Sequence, residues 1–191
     1  MMEISKEKKE KKKRIVSIWV CILIFIGAFF AGMISKVAIK PAWSTKYTAT
    51  WSEELGTKIT DISYGDEEAN KFDLYLPKDS TKDTYGLVIY LHAGGFTSGD
   101  KADDENMLAW LCSKGYVAAG INYTLRTDTN NASVLLQSNE IKEAIPIVVE
   151  EAKNRGYNID KMTVAGGSAG HALAMIYAYR DAQDAPVPVV F

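Results

Sequence analysis

Two stretches of this chain could carry chemistry: the serine set among glycines in Gly166-Gly167-Ser168-Ala169-Gly170, and the glycine pair behind a histidine in His92-Ala93-Gly94-Gly95-Phe96. A serine at the tip of a sharp turn can attack a carbonyl carbon, provided its hydroxyl projects clear of the chain. Such a turn demands strained angles at the serine itself. It also demands glycine on either side, so that the strand before it and the helix after it can approach closely. Gly-x-Ser-x-Gly by itself is a weak signal, and its meaning depends on lying between a strand and a helix.

The surrounding pattern supplies that setting. Residues 58–64 and 71–76 alternate apolar and polar residues around a polar turn and predict an early hairpin. Residues 86–91 form a nearly continuous apolar run, as expected of a strand buried on both faces, and end at His92. A helix is predicted over 103–113, with Asp103 and Asp104 favouring its N-terminus, and Gly115 stops it. Residues 116–122 predict a strand. A second helix is expected to start near Ser138, with Glu140 and Glu143 early in it and Gly156 at its end. Residues 161–165 predict a strand running into Gly166, and a third helix continues through Leu173, Met175 and Ile176. Strands alternating with helices predict an α/β fold with a mostly parallel sheet and flanking helices. Both glycine-rich loops then leave its carboxyl edge, where ligands bind in such sheets.

With the motifs in these contexts, His92-Ala93-Gly94-Gly95-Phe96 followed by Ser98-Gly99-Asp100-Lys101 resembles the His-Gly-Gly-Gly oxyanion loop of the hormone-sensitive-lipase-like branch of the α/β-hydrolases. Gly166-Gly167-Ser168-Ala169-Gly170 resembles that family's nucleophile elbow, and the resemblance runs from about residue 56 to the end. It implies an α/β-hydrolase fold, Ser168 as catalytic nucleophile on a small ester, and the amides of Gly94, Gly95 and Ala169 as the oxyanion hole. It implies structural parts for His92, Gly166 and Gly170. Ala93 and His171 depart from the family pattern, each standing where a glycine is expected.

The resemblance also implies an acid and a catalytic histidine on loops after later strands. His171 starts a helix running away from the elbow, and His92 braces the oxyanion loop, so neither is expected to be the base. Asp181 and Asp184 arrive too early to be the acid. Only 23 residues follow Ser168, and residues 188–191 resemble the opening of another strand. The expectation is therefore an incomplete α/β-hydrolase fold, inactive as it stands, that needs a completing C-terminal segment or chain. Two other readings stay open: a non-catalytic binding module with a hydrolase-like fold, and a fragment of a prolyl-oligopeptidase-like peptidase.

The N-terminus sets the surroundings. Residues 6–14 hold six Lys and one Arg, and residues 15–35 hold no ionisable acid or base. As a helix that run spans roughly 30 Å, the hydrocarbon thickness of a bilayer. The basic cluster precedes it, so the N-terminus is expected in the cytoplasm and the remainder outside the cell membrane. The run is longer than a signal-peptide core and has no small-x-small cleavage site, which favours an uncleaved anchor. The expected divisions are a basic head (1–14), a transmembrane helix in the lipid bilayer (15–35), a linker (36–55) and the hydrolase-like domain (56–191). A net charge of −2 gives no reason to expect nucleic acid as a partner. Two separated His and two separated Cys offer no metal site and no disulfide framework, and no cofactor motif is present.

Overall fold

The computed structural model describes residues 2–38 and 46–190. Met1, Phe191 and residues 39–45 of the expected linker, Pro41 among them, lie outside the described residues. The chain forms two units, and the second begins at Tyr47.

The first unit is one helix, α1 (Met2–Ala38), which runs through the basic head as well as the apolar stretch. Within it, Glu10–Ser35 is long and apolar enough to cross a membrane.

In the second unit, residues before the expected domain start already take part in packing. Tyr47 meets Trp110 edge to face, the Ala49 amide donates to the Asn106 carbonyl, and Trp51 packs on Tyr75. Five strands follow: β1 (Gly56–Ser63), β2 (Lys71–Pro77), β3 (Tyr85–Leu91), β4 (Val117–Ile121) and β5 (Ile159–Gly166). They form one sheet in the order β1-β2-β4-β3-β5. The sheet is mixed. The β1–β2 hairpin and its join to β4 are antiparallel, whereas β3 lies parallel to both β4 and β5. The parallel half carries both glycine-rich loops.

Helices α2 (Glu105–Ser113), α3 (Val134–Asn154) and α4 (Ala169–Ile176) complete the unit. Helix α3 starts four residues before the expected Ser138, because Ser133 caps it by accepting a hydrogen bond from the Leu136 amide. Ser138 instead bonds back to the Leu135 carbonyl inside the helix. Ile141, Ala144, Ile145, Val148 and Ala152 recur at helical spacing and are fully buried. They cover Leu87, Ile89 and Leu91 of β3 in the main core. Each buried isoleucine, valine or leucine side chain contributes about 1.5–3 kcal/mol by leaving water, and each alanine methyl about 0.8 kcal/mol.

The other face of β3 is covered only partly by α2. An apolar groove of about 440 Å³ remains there, lined by Val88, Trp110, Leu111, Tyr116, Thr163 and Val190 among others. Beside β5, the Met162 amide donates to the Pro188 carbonyl and the Val190 amide to the Met162 carbonyl. Val189 thus runs parallel to β5, as a further strand at 188–191 predicts.

Candidate active site

The site is built where β3 and β5 end side by side. Leu91 and Gly166 are register partners, so the loops that follow them leave the same sheet edge together. Ser168 takes φ 47° and ψ −110°, a combination an L residue adopts only when its surroundings force it, and its side of the turn is exposed. The forcing contacts are visible on both flanks. A Cβ on Gly166 would stand 2.4 Å from the Gly170 carbonyl carbon, and one on Gly170 would stand 2.0 Å from the Leu91 oxygen and 2.6 Å from the His92 oxygen. The elbow is thus pressed against the stem of the His92 loop, where the Gly167 amide also donates to the Leu91 carbonyl at 3.2 Å.

That loop turns at Gly94. Its φ of 131° and a Cβ position 1.8 Å from the Ser98 carbonyl oxygen leave no residue but glycine there. Its carbonyl is held by the amides of Thr97 and Ser98. Among the described residues the amides of Gly94, Gly95 and Ala169 have no acceptor. The exposed serine and the loop with unbonded main-chain donors thus leave the same sheet edge.

His92 lies beneath the loop, 1% exposed. Its ring stacks on Tyr123 at 4.4 Å, and its Nδ1 lies 2.7 Å from the Ala93 carbonyl, so the network assigns the proton to Nδ1. The Tyr123 hydroxyl donates to the His92 carbonyl at 2.9 Å. Burial, with the charge of Asp104 as the lesser cause, pushes that phenol up to about 12, which keeps it a donor. His171 is exposed on α4, and among the described residues no hydrogen bond joins either histidine to Ser168. Asp181 is likewise occupied elsewhere, gripped by the Arg180 guanidinium and by Lys142. Burial raises its carboxyl pKa, but those cations outweigh burial and hold it below the usual range.

Several supporting residues carry no motif or periodicity that would flag them. Gln137, fully buried on α3, donates to the carbonyls of Phe96 and Thr124 and so holds the far limb of the glycine loop. Glu140 is buried rather than exposed in a first turn. It accepts from the Thr124 amide and hydroxyl and from Asn70.

Asp104 was expected to favour a helix start. It sits at the cap position of α2 but makes no capping bond, and among the described residues it has no ion pair. Asp103 instead completes a reciprocal capping box with Asp100 on the short 3-10 turn Lys101–Asp104. Burial and then the neighbouring Asp103 push the Asp104 carboxyl up to about 6. With a folded-state pKa above the unfolded one, no cost exists below about pH 4. Stability is lost as pH rises from there through 6. Asp104→Asn is therefore expected to raise stability at pH 7 by about 1–2 kcal/mol and to leave it unchanged at pH 3.5, as read from urea midpoints at the two pH values.

The BD-FAE family model matches residues 72–186. The kynurenine formamidase of Danio rerio is 30% identical over 120 residues, which is 62% of this chain and 38% of that protein. Esterase B from Lactobacillus rhamnosis superposes with a TM-score of 0.60 at 23% identity, over 83% of this chain and 48% of that one. Thermogutta terrifontis esterase 2, in a form phosphorylated by paraoxon, gives a TM-score of 0.54 at 24% identity, over 64% of this chain and 48% of that one. The chain thus spans less than half the length of each. Because the family match runs from β2 past α4 and takes in both loops at the sheet edge, this chain belongs to the BD-FAE family, an esterase-like branch of the α/β-hydrolase superfamily.

Proposed function

We propose that this chain is the anchor-bearing part of a serine carboxylic-ester hydrolase. Ser168 attacks the carbonyl of a small ester, and the amides of Gly94, Gly95 and Ala169 donate to the oxyanion of the tetrahedral intermediate. The observation that carries this reading is the strained, exposed Ser168 held against the stem of a loop whose glycine amides are unbonded. Each such donor is worth about 3 kcal/mol of transition-state stabilisation. The proton that leaves the Ser168 hydroxyl needs an imidazole; His92 is buried against Tyr123 and Ala93, and among the described residues no hydrogen bond joins His171 to Ser168. The base and its acid come from sequence this chain does not contain, and the chain alone turns over esters slowly. Residues 15–35 span the cell membrane with the N-terminus cytoplasmic, which puts the hydrolase unit outside. The relative named kynurenine formamidase favours one further substrate class for the same nucleophile, a formamide.

Paraoxon or a fluorophosphonate tests the nucleophile in detergent, in a length-extended protein that supplies the base. Intact mass is expected to gain one phosphoryl adduct, mapped to Ser168 and absent from Ser168→Ala. In a length-extended protein, the same substitution is expected to lower p-nitrophenyl acetate turnover by at least about 10⁴-fold. Equal hydrolysis without Ser168 overturns the assignment.

A further inference from the structure

Behind the glycine loop lies a charged group that acyl transfer does not itself require. Lys101, the first residue of the 3-10 turn, has a side chain only 7% exposed. Its ammonium sits 2.8 Å from Asp61 Oδ1 and 3.0 Å from Asp73 Oδ1. Asp73, on β2, is itself 2% exposed and also accepts from the Asp61 amide at 2.9 Å. Asp61 reaches this position because the β1–β2 register slips between Ile59 and Ile62, and its own φ is 58°. Strand β4 leaves room for the lysine backbone at Gly120, where a Cβ would stand 3.3 Å from Lys101 Cβ.

The polar chain continues toward the site. The Lys101 amide donates to Asn122 Oδ1 at 2.7 Å, and Asn122 Nδ2 donates to Asp100 Oδ2 at 2.7 Å. Asp100 Oδ1 accepts from the Ala102 amide, and the Asp100 amide donates to Asp103 Oδ2. Immediately before Asp100, Gly99 lies so close to the loop stem that a Cβ would stand 2.2 Å from the Ala93 oxygen and 2.5 Å from His92 Nδ1. Whatever fixes residues 99–101 therefore fixes His92 and Ala93, and with them the start of the Gly94–Gly95 turn.

We propose that Lys101, with Asp61 and Asp73, is a positioning residue for the oxyanion loop: it ties the returning limb of that loop to the β1–β2 hairpin and sets where the Gly94 and Gly95 amides point. The proposal rests on the Ser168 reading for its catalytic meaning. A buried ion pair is no stronger than well-packed apolar residues of the same volume, so strength alone does not account for one here. What two carboxylates and one ammonium add is direction. Each bond is oriented and short, and a displaced lysine leaves Asp73 buried and uncompensated.

The test compares the wild-type full chain with Lys101→Met and Asp61→Asn by amide hydrogen exchange and by the rate of Ser168 modification by a fluorophosphonate. Both variants are expected to speed exchange in 92–99 at least about tenfold while peptides from α3 and β5 keep their protection. The limiting modification rate is expected to fall about tenfold with half-saturation unchanged, a split that general destabilisation does not produce. The Asp61 side chain is 61% exposed, so Asp61→Asn decides the matter if Lys101→Met fails to fold. Unchanged loop exchange and an unchanged limiting rate in a folded variant overturn the proposal. If the wild-type chain takes no adduct at all, exchange in 92–99 alone decides the network, and the Ser168 reading is decided separately by the adduct and turnover of the length-extended protein.

Discussion

Gly170→Ala is expected to prevent the second unit from folding. The added methyl would stand 2.0 Å from the Leu91 oxygen, 2.5 Å from the Leu91 carbonyl carbon and 2.6 Å from the His92 oxygen, all of them backbone atoms at the end of a central strand. Backbone there cannot swing aside as a side chain tip can. Relief requires β3 to separate from α4, which breaks the seam between the two loops. Overpacking of this kind costs about 3 kcal/mol or more, a large share of the stability of a small domain. Gly167→Ala is the control. Its methyl would meet Ala93 Cβ at 3.4 Å and the Tyr90 hydroxyl at 3.5 Å, ordinary contact distances, and a change under about 1 kcal/mol is expected. Urea denaturation of the two variants separates them. Equal midpoints would show that the elbow is not wedged against the strand end.

Ser168→Gly is expected to stabilise the protein while abolishing its adduct with paraoxon. At φ 47° and ψ −110° a side chain is held in a region glycine enters freely, and releasing such strain is worth about 1–3 kcal/mol. The extra freedom glycine gains in the unfolded chain offsets roughly 0.5–1 kcal/mol of this, leaving a net gain of about 1 kcal/mol. Ser168→Ala keeps a Cβ, so it loses the adduct without that gain. Thermal midpoints of the three proteins, read beside their adduct masses, check the contrast. A less stable Ser168→Gly would mean that the turn is unstrained and the serine ordinary. If the gain is observed, the site holds its nucleophile at a standing cost in stability, as functional sites commonly do.

Residues whose part depends on a local run were legible from the chain alone. The apolar stretch 15–35, the buried strand at 86–91 and the strand–turn–helix around Ser168 each declare themselves within about twenty residues, because burial and turn chemistry act at that range. The antiparallel join of β2 to β4 was not legible. Nothing in either strand's own pattern states which neighbour it takes, and the hairpin that starts the domain makes half of the sheet antiparallel. The start of α3 was misplaced for a local reason, two serines in the same neighbourhood, with the bond from Leu136 to Ser133 deciding between them.

By itself the sequence determined that a serine and a glycine pair follow two strands of an α/β unit, and that an apolar helix stands before them. Only the tertiary structure decided that Gly170 touches Leu91, that Tyr123 supports His92, and that Lys101 meets Asp61 and Asp73 although Lys101 stands 40 positions after Asp61. The reason is that a charged or polar residue carries no period of its own. Whether Glu140 faces water or a buried amide, and whether Asp104 caps a helix or stands unpaired, is settled by what the fold brings against it.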